Sequence, residues 1–109
     1  MAKAAAWSLL LAAGLVEIGM AYAIKWSDGW SRPFPSMLAL LAALASIGLL
    51  ALALRGLPLG IAYAIWTGIG AVGVSLVGML FFAEPFSLAR PSCIVLIVAG
   101  SAGLKALAS

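Results

Sequence analysis

The sequence has no histidine, a single cysteine and only three acidic residues among 109. One cysteine, Cys93, leaves no intrachain disulfide framework, and without histidine no structural zinc, haem or other metal site is expected. Charged residues make up 8% of the chain and apolar ones 66%, against about a quarter and a half in an ordinary soluble domain. A soluble chain of this size leaves about a third of its surface in water and needs polar residues to cover it. These residues are missing, so the sequence describes an all-α membrane protein. The six basic residues are spread along the chain rather than clustered, which argues against a nucleic-acid partner.

What is present is a set of long apolar runs. A bilayer core about 30 Å thick takes roughly 20 residues of helix. The runs break at "KWSDGWSRPFP" (25–35), "RGLP" (55–58) and "EPFSLARP" (84–91). Four transmembrane helices are therefore expected, over about 4–25, 34–54, 58–82 and 87–106, as a single domain covering 1–109. The prolines fall in loops or near helix starts, where a missing N–H costs little. The runs are continuous rather than alternating, which rules against a β-barrel. Lys3 and the run after it continue past signal-peptide length, so no cleaved leader is expected. Short connections predict that successive helices are antiparallel neighbours.

Topology is nearly balanced. With four spans, Lys3, Arg55 and Lys105 share one side, and Lys25, Arg32 and Arg90 the other. Positive charge near the cytoplasm normally decides orientation, and three against three predicts insertion both ways.

Against this background Glu17 stands out, in "AAGLVEIGMAYAI" (12–24), with no basic residue in the same stretch. An ionisable side chain inside a membrane is expensive and generally faces a cavity or a protein interior. Its one-turn neighbours Ala13, Gly14, Met20 and Ala21 are mostly small and leave room beside the acid. A carboxyl in low dielectric holds a proton or a cation, and one group alternating between them is the minimum chemistry for proton-coupled cation exchange. The bland alternative is a protonated glutamate that holds helices together by hydrogen bonds.

Helix 3 offers partners in "GIAYAIWTGIG" (60–70), where Tyr63 and Trp66 share a side and lie too deep for an interfacial belt. Tyrosine can donate to a carboxylate, and both rings can face a cation; plain interhelical packing is the alternative. Trp7, Trp26 and Trp30, near span ends or in a loop, read as interfacial anchors. Ser46, in mid-helix 2, either joins the Glu17 network or bonds its own helix backbone. Gly60, Ala64 and Gly68 repeat every four residues, as close helix contact requires. Gly68, Gly70 and Gly73 also suit bending during an access change. Ala99 and Gly103 on helix 4 form another small pair suited to association. Four helices enclose little more than their own core, so a pathway across the membrane calls for self-association. Opposite insertion of two copies would give the inverted symmetry common in alternating-access transporters.

The sequence resembles the small multidrug resistance family over essentially its whole length, through "EIGMAYAIKWSDGWSR", "LPLGIAYAIWTGIGA" and the closing "GLK". The resemblance implies an antiparallel dual-topology homodimer in the bacterial inner membrane, exchanging protons for small organic cations through paired Glu17 carboxylates. It places Tyr63, Trp66 and Ser46 in or beside the binding site and implies no cofactor. "WTGIGA" with "GLK" is similar to the guanidinium-exporter branch, which implies export of guanidinium or small substituted guanidinium ions. That branch usually has tryptophan one turn after the glutamate, where this chain has Met20. A flexible thioether for a rigid indole leaves broad quaternary ammonium export as the alternative. Other readings are a channel, a structural or regulatory subunit without transport and, with no nucleophile–base pair among the few polar residues, least of all an enzyme.

Balanced charge makes a prediction by itself. Cysteines introduced into the 25–33 loop should label partly from each side of the membrane in intact cells. Wholly one-sided labelling would contradict dual insertion.

Overall fold

Two prolines set the start of the second helix and one that of the third. In the computed structural model, which describes residues 3–82, 84, 87 and 89–108, Arg32 before Pro33 is extended (φ −98°, ψ 118°), as a residue preceding proline must be. Pro58 likewise caps the third helix at φ −62°, ψ 141°. The four helices are α1 (Lys3–Trp26), α2 (Pro33–Ala53), α3 (Leu59–Phe81) and α4 (Ala89–Ala108). Each is long and apolar enough to cross a membrane. Their ends differ from the expected ranges by one or two residues, the scale on which helix ends fray. Ser87, expected to be helical, precedes α4, and Arg90 donates its N–H to the Ser87 carbonyl at 3.2 Å.

The turn between α1 and α2 is organised by a buried serine. Ser27 Oγ donates to the Ile24 carbonyl at 2.6 Å and accepts the Trp30 N–H at 3.1 Å. Asp28, Gly29 and Trp30 all have left-handed backbone, at φ 51°, 69° and 70°. Glycine takes this conformation freely, whereas for the tryptophan it costs roughly 1–2 kcal/mol, which the Ser27 bond helps to offset.

Packing centres on α1, which touches α2 along its length and α3 on another side; α4 packs on α3. The expectation that successive helices are neighbours holds for α1–α2 and α3–α4. It is weak for α2–α3, which meet at few points because both flank α1. The buried cluster joins Ala6, Leu10 and Ala13 of α1 to Leu50 and Ala53 of α2, Leu57 of the following loop, and Ala62 and Ile65 of α3. Half of it is alanine, which lets the backbones approach closely. Three glycines sit where a neighbouring helix comes close: Gly14 faces Ile69, Gly73 faces Ile18, and Gly68 faces Ser101 of α4.

The result is flat, with extents of 41 × 35 × 17 Å. Its accessible surface of 6553 Å² exceeds the roughly 5,700 Å² expected of a soluble monomer of this mass. Large side chains such as Leu44, Leu80 and Leu96 point outward, each at least 70% exposed, as lipid-facing residues do. Near the membrane surface the Lys105 ammonium lies 5.6 Å from the centre of the Trp7 ring, tying the end of α4 to the start of α1.

The glycine contacts separate two kinds of substitution. An added Cβ at Gly14 would overlap Ile69 at its stiff branch point, within 2.9 Å of its Cβ. At Gly48 it would meet nothing within 4 Å. Gly14→Ala should therefore destabilise the protein by about 1–3 kcal/mol, whereas Gly48→Ala should be neutral or stabilise it by up to about 1 kcal/mol. Denaturant unfolding in detergent micelles distinguishes the two; equal effects would contradict the α1–α3 packing.

Candidate functional site

Glu17 is carried two-thirds of the way along α1, on the side that meets α3. Its carboxylate lies against Gly70, where a Cβ would collide with all three carboxylate atoms. Glycine at 70 is what allows the acid to sit there. Oε2 of Glu17 is buried and has no hydrogen-bond partner among the described residues. An unsatisfied buried polar atom costs about 1–3 kcal/mol, and more if charged, so this oxygen is poised to take a proton or a cationic donor.

On α3, Trp66 lies one turn before Gly70 and Tyr63 two turns before it, so all three share a stripe. The Tyr63 and Trp66 rings are 5.3 Å apart and inclined at 59°. Tyr63 is 53% exposed in the single chain, whereas Trp66 is half-buried. One end of the stripe is thus aromatic and open, and the other is the glutamate.

Ser46 connects the three helices. It is fully buried; its Oγ donates to the Ala13 carbonyl at 2.7 Å and accepts Trp66 Nε1–H at 3.0 Å. The hydroxyl thus bonds across to α1 rather than to its own helix. In an α-helix the Ala13 carbonyl also accepts the Glu17 N–H. Trp66, Ser46, Ala13 and the Glu17 backbone therefore form one connected path, and no described contact joins Ser46 to the carboxylate itself.

The remaining sequence-predicted residues are scattered. Ala13 and Gly14 are buried on α1, and Met20 is half-buried one turn beyond Glu17. Gly68 and Gly73 contact α4 and α1 respectively, while Gly60 and Gly103 face open space and Ala99 is exposed. Sequence reasoning placed Gly70 among the bending residues and missed its position beside the acid. It also missed Ile69, Ile18 and Ser101, the partners of the close-packed glycines. The spacing of Trp66 and Gly70 at four residues was the available signal for the first of these.

No group of three or more potential metal ligands occurs among the described residues, and the carboxylate lies against Gly70 with one oxygen lacking a hydrogen-bond partner among those residues. That suits an organic cation and a proton.

Comparison with known proteins identifies the family. The sequence profile of the Small Multidrug Resistance protein matches residues 5–97. The chain is 50% identical over 100 residues to a protein of Yersinia pseudotuberculosis serotype I (strain IP32953) named "Guanidinium exporter", covering 92% of this chain and 96% of that one. Proteins of the same name from Citrobacter freundii and Proteus vulgaris are 48% and 44% identical over 99 residues. Each alignment spans 91% of this chain, and 94% and 95% of the respective relative. With four membrane-length helices, a lone carboxylate beside an aromatic stripe and similarity over nine-tenths of its length, the chain belongs to the small multidrug resistance family.

Proposed function

We propose that this protein exports guanidinium or small substituted guanidinium ions in exchange for protons, with Glu17 as the exchanging group. It is a multi-pass protein of the bacterial inner membrane, and its family is one of transporters. The observation that carries the reading is the buried Glu17 oxygen without a partner, held against Gly70 in line with Trp66 and Tyr63. The relatives' name supports guanidinium as the cation.

Guanidinium is a planar ion with N–H donors along its edges, so a carboxylate can meet it with paired, directional hydrogen bonds. Its faces suit aromatic rings. Trp66, whose Nε1–H is engaged by Ser46, is held in one orientation and presents a fixed wall. Tyr63, more exposed, closes over the cation or donates to the carboxylate. Proton and cation compete for the same oxygens, and this competition couples their movement.

One chain of four helices does not enclose a pathway. The functional unit in this reading is an antiparallel homodimer of single four-helix domains, the partner copy supplying a second Glu17 and the inverted half that alternating access requires. Ala99, Gly103 and Gly60, which have open space beside them in one chain, would pack the second copy. Gly68 and Gly73, where helices cross closely, would shift as the access changes. Proton and cation approach from water, and lipid surrounds the rest.

Met20 favours a second reading. A thioether in place of an indole beside the acid leaves a softer wall, which suits bulkier quaternary ammonium ions recognised by charge and aromatic contact alone.

Two experiments follow. In proteoliposomes with a pH gradient, Glu17→Gln should reduce coupled transport to the level of protein-free vesicles while the protein remains folded and dimeric. Undiminished coupled transport by the folded variant would defeat the proposal. Side by side, guanidinium and phenylguanidinium should be transported in preference to tetrapropylammonium. Robust tetrapropylammonium exchange with no response to guanidinium would assign the protein to broad quaternary ammonium export. In that event Met20→Trp should move selectivity toward guanidinium, and unchanged selectivity would exclude residue 20 as its determinant.

A further inference from the structure

A groove of about 650 Å³ opens between α1, α3 and α4, apart from the residues assigned to the cation. Its walls are almost wholly apolar, formed by residues such as Leu11, Ile18, Ile69, Leu76 and Val98. The polar exceptions, Ser8, Ser101 and Lys105, gather toward one end. That end carries Trp7 with the Lys105 ammonium 5.6 Å from the ring centre, and Lys3 lies one turn before Trp7 on α1.

Its length identifies what fits. On α1 the lining runs from Trp7 to Ile18, and on α3 from Ile65 to Leu76; eleven residues of helix rise about 16 Å. One leaflet of hydrocarbon, half of a core about 30 Å thick, is about 15 Å deep. The groove thus begins on α1 at the end where the lysine and tryptophan meet the interface and runs somewhat past the middle of α1 and α3, a length comparable with that of one acyl chain. A lysine beside an interfacial tryptophan is placed to attract an anionic headgroup. We infer that the α1–α3–α4 groove binds one acyl chain of an anionic phospholipid, with its phosphate at Lys105.

This occupant would fill the space beside Ile18 and Gly73, the contact next to Glu17 on α1 and one turn beyond Gly70 on α3. It would also give α4, none of whose described residues is buried within the chain, a second neighbour along its inner side.

Native mass spectrometry of the purified full-length protein, given equal amounts of phosphatidylglycerol and phosphatidylcholine with identical chains, tests the inference. A lysine near the membrane surface favours an anionic lipid by about fivefold, and the wild type should retain phosphatidylglycerol by that margin. Lys105→Gln should bring the ratio close to one. Ala102→Trp, which places an indole in the groove, should reduce retention of both lipids, whereas Leu96→Trp, on α4 outside the lining, should leave it unchanged. Equal retention by the wild type, an undiminished preference in Lys105→Gln, or full retention in Ala102→Trp would each overturn the proposal. Loss of the dimer in Ala102→Trp with lipid retention unaltered would overturn it too, and would show the groove to be covered by a second copy.

Discussion

A carboxylate placed among apolar helices has to be accommodated, and most of what is specific in this structure serves that need. Glu17 sits where α3 has no side chain, at Gly70. Any larger residue at 70 would push the acid out or the helices apart. One carboxylate oxygen remains buried with no hydrogen-bond partner among the described residues, a cost that an occupant would relieve. A proton serves, and so does a cation with N–H donors. In the proposed function, the cost of leaving the oxygen bare is what drives exchange between them.

Around that point the packing fixes positions rather than maximising burial. α1 touches both α2 and α3 through small residues, so the Ala13 carbonyl comes within reach of Ser46, and Ser46 within reach of Trp66. A single hydroxyl, donating once and accepting once, ties three helices together one turn from the acid. Polar contacts of this kind contribute about 0.6 kcal/mol on average in membrane proteins, too little to hold the bundle together. Their value lies in orientation: an indole whose N–H is engaged presents its ring in one direction. The opposite arrangement holds at α4, which packs mainly on α3 and leaves broad apolar surface for lipid or a second copy.

The number of helices was legible because prolines, charges and short polar runs interrupt the apolar segments where they end. Glu17 was legible because a charge in such a segment has no ordinary explanation, and Tyr63 with Trp66 because their depth is wrong for an interfacial belt. The faces of the helices were not. All four helices are apolar on nearly every side, so a residue packed on a neighbouring helix looks the same in sequence as one facing lipid. That is why the pairings of Gly14 with Ile69 and Gly73 with Ile18 could not be read, and why Gly60 and Gly68, alike in spacing, meet open space and Ser101 respectively. Ser46 was ambiguous for a related reason. A mid-helix hydroxyl usually finds its own backbone, and only the close approach of α1 offers Ala13 instead.

Competition at Glu17 can be observed without transport. Guanidinium added to the purified protein in weakly buffered detergent solution, near the pH at which the carboxyl is half protonated, should displace protons. A pH-indicating dye should record their release, saturating with cation, and Glu17→Gln should release none. Saturable guanidinium binding by the wild type with no proton release over the titration range of the carboxyl would contradict the account.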